Sequence, residues 1–191
     1  MLNVKLLPLN IQSKWEQAVH TNIVIADWSF IYCISFSFTK DTKLQDFQYK
    51  LIHRILITNS FLYKCGLKET KLCTFCTETQ KSLVDIFCEC NHVRKFWLAI
   101  GNFLKICGVS LPFKAKDTIL GLTEHNTAHG VINNVLLILN YYIDVCRCKC
   151  RALEFLTYVI NIEKAPMIYL SPVQQEHAKR KVLDLEAELS S

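Results

Sequence analysis

Thr42-Lys43-Leu44-Gln45-Asp46-Phe47-Gln48-Tyr49-Lys50-Leu51-Ile52-His53-Arg54-Ile55 is the stretch that decides the fold class. Leu44, Phe47, Leu51 and Ile55 recur at spacings of three and four, which gathers them on one side of a helix. Thr42 offers a capping oxygen, and Gln45, three residues on, can reach back to it. The spacing predicts a helix over about 43–56, with Lys43, Lys50 and Arg54 on its other sides, free to face water or phosphate. The same start signal recurs at Ser13-Lys14-Trp15-Glu16, Thr77-Glu78-Thr79-Gln80 and Ser171-Pro172-Val173-Gln174, the last with proline at the first helical position. The expected fold is therefore mainly α.

Outward from that helix, a short one is expected over about 78–87, carrying Leu83, Val84 and Phe87. Asn91 then caps a helix over about 92–107, with a stripe of Val93, Phe96, Trp97, Ile100, Leu104 and Cys107, and Gly108 ends it. The pattern breaks around Ser110-Leu111-Pro112-Phe113. A long apolar helix follows over about 128–150, another over about 152–164 ending before Pro166, and a charged tail helix begins at Pro172. Residues 22–38 suit a strand by composition and a buried helix by length. Three segments result: an N-terminal helix and apolar stretch (1–38), a central unit (39–110) and a helical C-terminal region (111–191).

The chain has 191 residues, of which 51% are hydrophobic and 20% charged, with only 5 Gly and 4 Pro. Such a composition can bury a core and excludes disordered and collagen-like classes. Ile23–Phe38 and Val131–Val145 are apolar, but polar residues interrupt both short of the ~20 residues a membrane span needs. Buried segments are expected there. Net charge is +5 and pI about 8.6, compatible with a nucleic-acid partner without requiring one.

Ten cysteines stand out. Met1-Leu2-Asn3-Val4-Lys5 lacks the basic start and apolar run of a secretory signal, so thiols or metal ligands in an intracellular, reducing compartment are expected, nuclear or cytoplasmic, in place of disulfides. The densest group is Cys73-Thr74-Phe75-Cys76 followed by Cys88, Cys90 and His92. A Cys-x-x-Cys turn brings two thiolates to one tetrahedral ion and a second pair from a helix end completes the shell, as structural zinc (Zn2+) sites are built. The plainer reading is a set of buried thiols acting as small hydrophobes. Zinc ligation contributes on the order of 10–16 kcal/mol in small modules, enough to hold a polar stretch such as Gly66 to Cys90. It would pin the Cys73–Cys76 turn against the 78–87 helix and dock it on Phe96 and Trp97.

Several runs resemble one family. Thr39-Lys40-Asp41-Thr42-Lys43-Leu44-Gln45, Phe47-Gln48-Tyr49-Lys50, His53-Arg54-Ile55-Leu56, Thr58-Asn59 and the run from Cys73 to Phe96-Trp97 resemble the zinc-binding region of LINE-type (non-LTR) retrotransposon reverse transcriptases. Ile119-Leu120-Gly121-Leu122, Asn140-Tyr141-Tyr142-Ile143 and Cys146-Arg147-Cys148 resemble the C-terminal tail of such elements more loosely. In that family the region follows the polymerase, and its pattern of Cys-x-x-Cys, His and Cys falls on Cys73, Cys76, position 85 and Cys90. This chain has Asp85 where the family has His. A helix begun at Thr77 would put Asp85 and Cys88 on one face near the metal, so the fourth ligand is Asp85, Cys88 or His92. The resemblance implies a structural zinc, contact with RNA or DNA of weak sequence preference, and the rest of a retrotransposon protein as partner where one is present.

Lys40, Lys43, Lys50, Arg54, Lys64, Lys68 and Lys71 face only Asp41, Asp46 and Glu69 within 32 residues. Such a surface attracts phosphate without reading sequence, and Tyr49, Phe61 and Tyr63 can stack on bases where exposed. The alternative is a solvated helix face over core aromatics. Cys146-Arg147-Cys148-Lys149-Cys150-Arg151 reads as an amphipathic core helix, Cys146 and Cys150 sharing one face and Arg147 and Arg151 another. Cys33, Cys65 and Cys107 are likewise expected in the core, and His53 in a structural or phosphate-facing role. The sequence has no Asp-Asp pair for two-metal chemistry, no phosphate-cradling glycine loop and no nucleophile elbow. A non-catalytic binding module is expected, with a structural or protein-interaction domain, or a decayed transposon fragment, as the alternative.

Overall fold

The computed structural model describes residues 9–78, 82–106, 110, 114–123 and 127–154. Seven α-helices follow in order among them: α1 (Leu9–Val19), α2 (Ile25–Phe38), α3 (Thr42–Ile52), α4 (Asn59–Lys64), α5 (Asn91–Ile106), α6 (Ala115–Leu120) and α7 (Thr127–Cys148). A π-helical turn, Asp85–Glu89, precedes α5. The described residues form no strand, and the fold is mainly α as expected. No helix among them is long and apolar enough to cross a membrane.

The ambiguous 22–38 segment is helical because its apolar residues supply buried positions three apart. Trp28, Ile31 and Ile34 are each at most 1% exposed, and this face of α2 lies against α3 and α7. Trp15 of α1 is fully buried and its indole N–H donates to the Ile52 carbonyl at 2.8 Å, tying α1 to the end of α3. Phe47 of α3 meets Phe87 of the π-turn and Tyr141 of α7 edge to face, at centroid distances of 6.1 and 5.5 Å. One cluster of buried side chains thus runs through all three sequence segments, from Trp15 to Ile143.

Several expected boundaries move, each for a local reason. The first helix begins at Leu9, so Ser13 is not its cap; the Ser13 hydroxyl donates to the Asn10 carbonyl at 3.2 Å. At α3 the cap is Asp41, whose carboxylate accepts the Lys43 N–H at 2.8 Å, one residue before the expected Thr42. Asp outranks Thr as a cap because its acceptor is ionised. The same helix stops at Ile52 rather than near 56, with Arg54 left-handed at φ 57°. Ile55 is consequently 56% exposed, and Ile52 takes the buried place assigned to it.

Helix α6 follows a stretch with no periodic signal and was not expected. Two asparagines of α7 hold it. Asn140 donates to the Thr118 carbonyl at 2.7 Å, while the Asn133 amide brackets Leu122, accepting its N–H at 2.7 Å and donating to its carbonyl at 2.9 Å. Gly121 sits between at φ 87°, where a Cβ would lie 2.6 Å from Ile34 Cδ1. The loosely resembling Ile119–Leu122 and Asn140–Ile143 runs therefore meet in space. Helix α7 matches the expected 128–150 helix closely. Gly108 and Cys107, the expected helix over 152–164 beyond Glu154, and the tail helix from Ser171 and Pro172 lie outside the described residues.

Candidate metal centre

Cys73-Thr74-Phe75-Cys76 forms a tight turn in which the Phe75 N–H points at the Cys73 sulfur at 3.5 Å and the Thr77 N–H donates to the Cys73 carbonyl at 3.1 Å. Amide donors aimed at sulfur stabilise a thiolate. Thr77 is left-handed at φ 58°, and the Cys73 N–H donates to the Glu78 carbonyl at 2.7 Å, which closes the turn. Thr77 does not start a helix; its hydroxyl donates to the Cys76 carbonyl at 2.6 Å. Residues 79–81 lie outside the description, and the chain resumes at Ser82 with a reciprocal cap. The Ser82 hydroxyl accepts the Asp85 N–H at 3.1 Å and the Asp85 carboxylate accepts the Ser82 N–H at 2.6 Å. The expected 78–87 helix is therefore replaced by a shorter element, begun five residues later by a Ser-x-x-Asp signal.

The π-turn delivers Cys90 to the start of α5, where the backbone amides of His92 and Val93 face its sulfur. Cys73, Cys76 and Cys90 converge, their sulfurs all within 4.8 Å of one another, and Cys73 and Cys90 lie 3.8 Å apart. Sulfurs about 2.3 Å from a tetrahedral zinc stand about 3.8 Å from one another. That spacing suits a shared ion and is far too long for an S–S bond of about 2.05 Å. Cys73 and Cys90 are buried and Cys76 is half-buried. Burial pushes the Cys90 thiol up to about 12, and the two α5 amides oppose that rise. A bound cation reverses the balance, since a coordinating thiol is deprotonated outright.

Two of the five expected ligands stand apart from this group. Asp85 spends its carboxylate on Ser82 and also raises the pKa of the neighbouring Glu89 through a side-chain hydrogen bond. Cys88 turns to a cavity lined by Arg94, Lys95, Trp97 and Thr118, and burial followed by the Glu89 charge pushes its thiol up to about 12. His92 is exposed and outside the group as well. The three cysteines that do converge are those on which the resembling pattern falls.

Sequence reasoning missed what holds the knuckle. Asn59, buried at the start of α4, donates to the Leu72 carbonyl at 2.6 Å and to the Thr74 hydroxyl at 3.1 Å, and accepts from Lys68 Nζ at 2.8 Å. One side chain so fixes the residues on either side of Cys73. Thr58-Asn59 lay within the resembling run, yet a lone Asn in a loop gives no sign of a partner fifteen residues away. On the inner side, Trp97 donates its indole N–H to the Phe87 carbonyl at 2.8 Å, bracing the π-turn against α5.

The expected phosphate-facing cations fall into two sets. Lys40, Lys43, Lys64 and Lys71 are exposed, as are Tyr49, Phe61 and Tyr63. Lys50 is exposed but paired with Asp46 at 2.6 Å, and Lys68 serves Asn59. Arg54 lies over the Trp15 ring at 4.5 Å, and burial lowers its pKa. That contact packs the guanidinium against a buried ring. His53 stacks on Tyr49 at 4.0 Å, and burial lowers its pKa too. Among the other cysteines, Cys146 is buried and Cys33 half-buried, but Cys65, Cys148 and Cys150 are exposed, because Cys65 and Cys150 follow helix ends. Arg147 is not a solvated face but a buried partner of Asp144 at 2.6 Å.

Compared with protein-family models, with curated proteins and with solved structures, the chain finds no match in any of the three. The resemblance to the reverse transcriptase region rests on its residues alone.

Proposed function

We propose that the chain is a non-catalytic zinc-binding module that contacts nucleic acid, as its resemblance to the LINE-type reverse transcriptase region implies. The observation that carries this reading is the Cys73, Cys76 and Cys90 group, whose sulfurs all lie within 4.8 Å of one another, with Cys73 and Cys90 at the 3.8 Å of a tetrahedral zinc shell and amide N–H groups aimed at two of them. Zinc suits a set of thiolates better than a hard cation does. Its role here is structural: it joins the Cys73–Cys76 turn to the start of α5 across a stretch with few apolar anchors. The exposed Lys40, Lys43, Lys64 and Lys71, with Phe61 and Tyr63 beside them in the chain, supply charge and stacking faces for a strand.

Native mass spectrometry of the full chain tests the metal: one zinc is expected, and a folded species that never takes up zinc refutes it. Filter binding with structured RNA, before and after chelation, tests the partner. Retention that needs zinc and falls steeply with salt is expected, and no retention at low salt overturns the nucleic-acid reading. A protein-interaction role is the alternative, favoured by Val24, Ile25 and Phe36, which α2 and the residue before it leave 64–73% exposed.

A further inference from the structure

Cys88 leads to a place that neither the zinc group nor the 40–71 cations explain. Between the start of α5 and α6 lies a cavity of about 580 Å3 lined by Cys88, Asn91, Arg94, Lys95, Trp97, Leu98 and Thr118, well within the size range of small-ligand sites. Asn91, Arg94, Lys95 and Leu98 follow the i, i+3, i+4, i+7 spacing of one helix face. Two cations and an amide thus line one hollow with an apolar edge, and no carboxylate among the described residues lines it. Glu89 stands close enough to Arg94 for their charges to interact, but outside the lining. The first turns of a 16-residue helix add a positive potential at the same end. Arg94 and Lys95 are exposed, so they are not consumed by the core.

We propose that this cavity binds the phosphate group of a nucleotide or of a nucleic-acid strand. Arg94 suits two phosphate oxygens at once, because its fork of N–H donors matches their geometry. Lys95 adds a point charge and Asn91 a neutral donor, while Leu98 lies under the sugar or base. Cys88 forms part of the wall. The site stands independently of the nucleic-acid reading above, since a free nucleotide satisfies it as well as a strand.

The test uses the full zinc-loaded chain, with inorganic phosphate, uridine monophosphate and a fluorescent short oligouridylate as probes. Binding of uridine monophosphate or the oligonucleotide that weakens roughly tenfold or more in Arg94→Gln/Lys95→Gln is expected. The exposed pair Lys14→Gln/Lys105→Gln, outside the cavity and outside the 40–71 cations, serves as control and leaves uridine monophosphate binding unchanged. No binding of any probe overturns the proposal, and so does binding that survives in the Arg94/Lys95 variant. Mononucleotide binding through Arg94 without oligonucleotide binding supports the cavity and assigns it to a free nucleotide instead of a strand, while the nucleic-acid reading keeps its own test with structured RNA. Both variants change exposed side chains, and their unchanged circular dichroism and melting would confirm that loss of binding is not loss of fold.

Discussion

Replacing Asn59 by alanine removes the brace outside the metal group without touching a sulfur. Three hydrogen bonds go at once: those to Leu72 and Thr74 at 2.6 and 3.1 Å, and the one from Lys68 at 2.8 Å. A typical intramolecular hydrogen bond contributes about 1 kcal/mol net, so the loss is about 2–3 kcal/mol. If all of it were felt in the zinc-loaded state, affinity would fall about 30- to 150-fold at 1.4 kcal/mol per tenfold. Side chains supporting metal ligands typically account for about 10- to 100-fold, so the two routes agree. Competition of the full chain against a chromophoric zinc chelator measures it, with Asn59→Asp as companion. Aspartate can still accept from Lys68 but cannot donate to the Leu72 carbonyl, so it too should lose zinc. Zinc affinity within twofold of the parent, alongside a lower melting temperature without metal, would show that Asn59 supports only the fold.

Other perturbations probe the remaining parts. Asp85→Ala removes the acceptor for the Ser82 N–H and should lower stability by about 1 kcal/mol in urea unfolding, with zinc stoichiometry unchanged; a lost zinc would return Asp85 to the ligand shell. Gly121→Ala sets a Cβ against Ile34 and Asn133 at φ 87° and should cost at least about 2 kcal/mol, so a melting temperature equal to the parent's would contradict the close approach. Arg54→Gln should leave RNA retention unchanged while costing about 1 kcal/mol of stability from the lost contact with Trp15. Arg147→Met strands Asp144 in a largely buried place and should cost about 3–5 kcal/mol, measurable by the same unfolding curves.

Long amphipathic helices were legible because periodicity reports burial directly: Leu44, Phe47 and Leu51 of α3 and Val93, Phe96 and Trp97 of α5 are all buried as expected. Helix ends were less so. Asp41 and Thr42 both can cap, and only the backbone dihedrals at Asp41 decide between them. Cys73 and Cys76 announced a turn by spacing alone, and Cys90 stood beside Cys88 and His92 as a downstream candidate that spacing could not rank. The placement of Asp85 did not, because a reciprocal cap at Ser82 and a π-turn shift every side-chain direction set by a helix from Thr77. Arg54 and Arg147 look like surface charges in sequence, and their contacts with Trp15 and Asp144 depend on how the chain turns at helix ends.

The asparagines of α7 carry a consequence for motion. Asn133 and Asn140 are seven residues apart, about 10 Å along the helix axis, and their partners at Leu122 and Thr118 run along the neighbouring chain in the opposite order. Two pins at that separation index α7 against α6 as a vernier does: sliding by one turn breaks both sets of bonds together, and tilting breaks one. Because α6 also rests on the π-turn that presents Cys90, the same two pins that index α7 lie within one packed frame with the cysteine group.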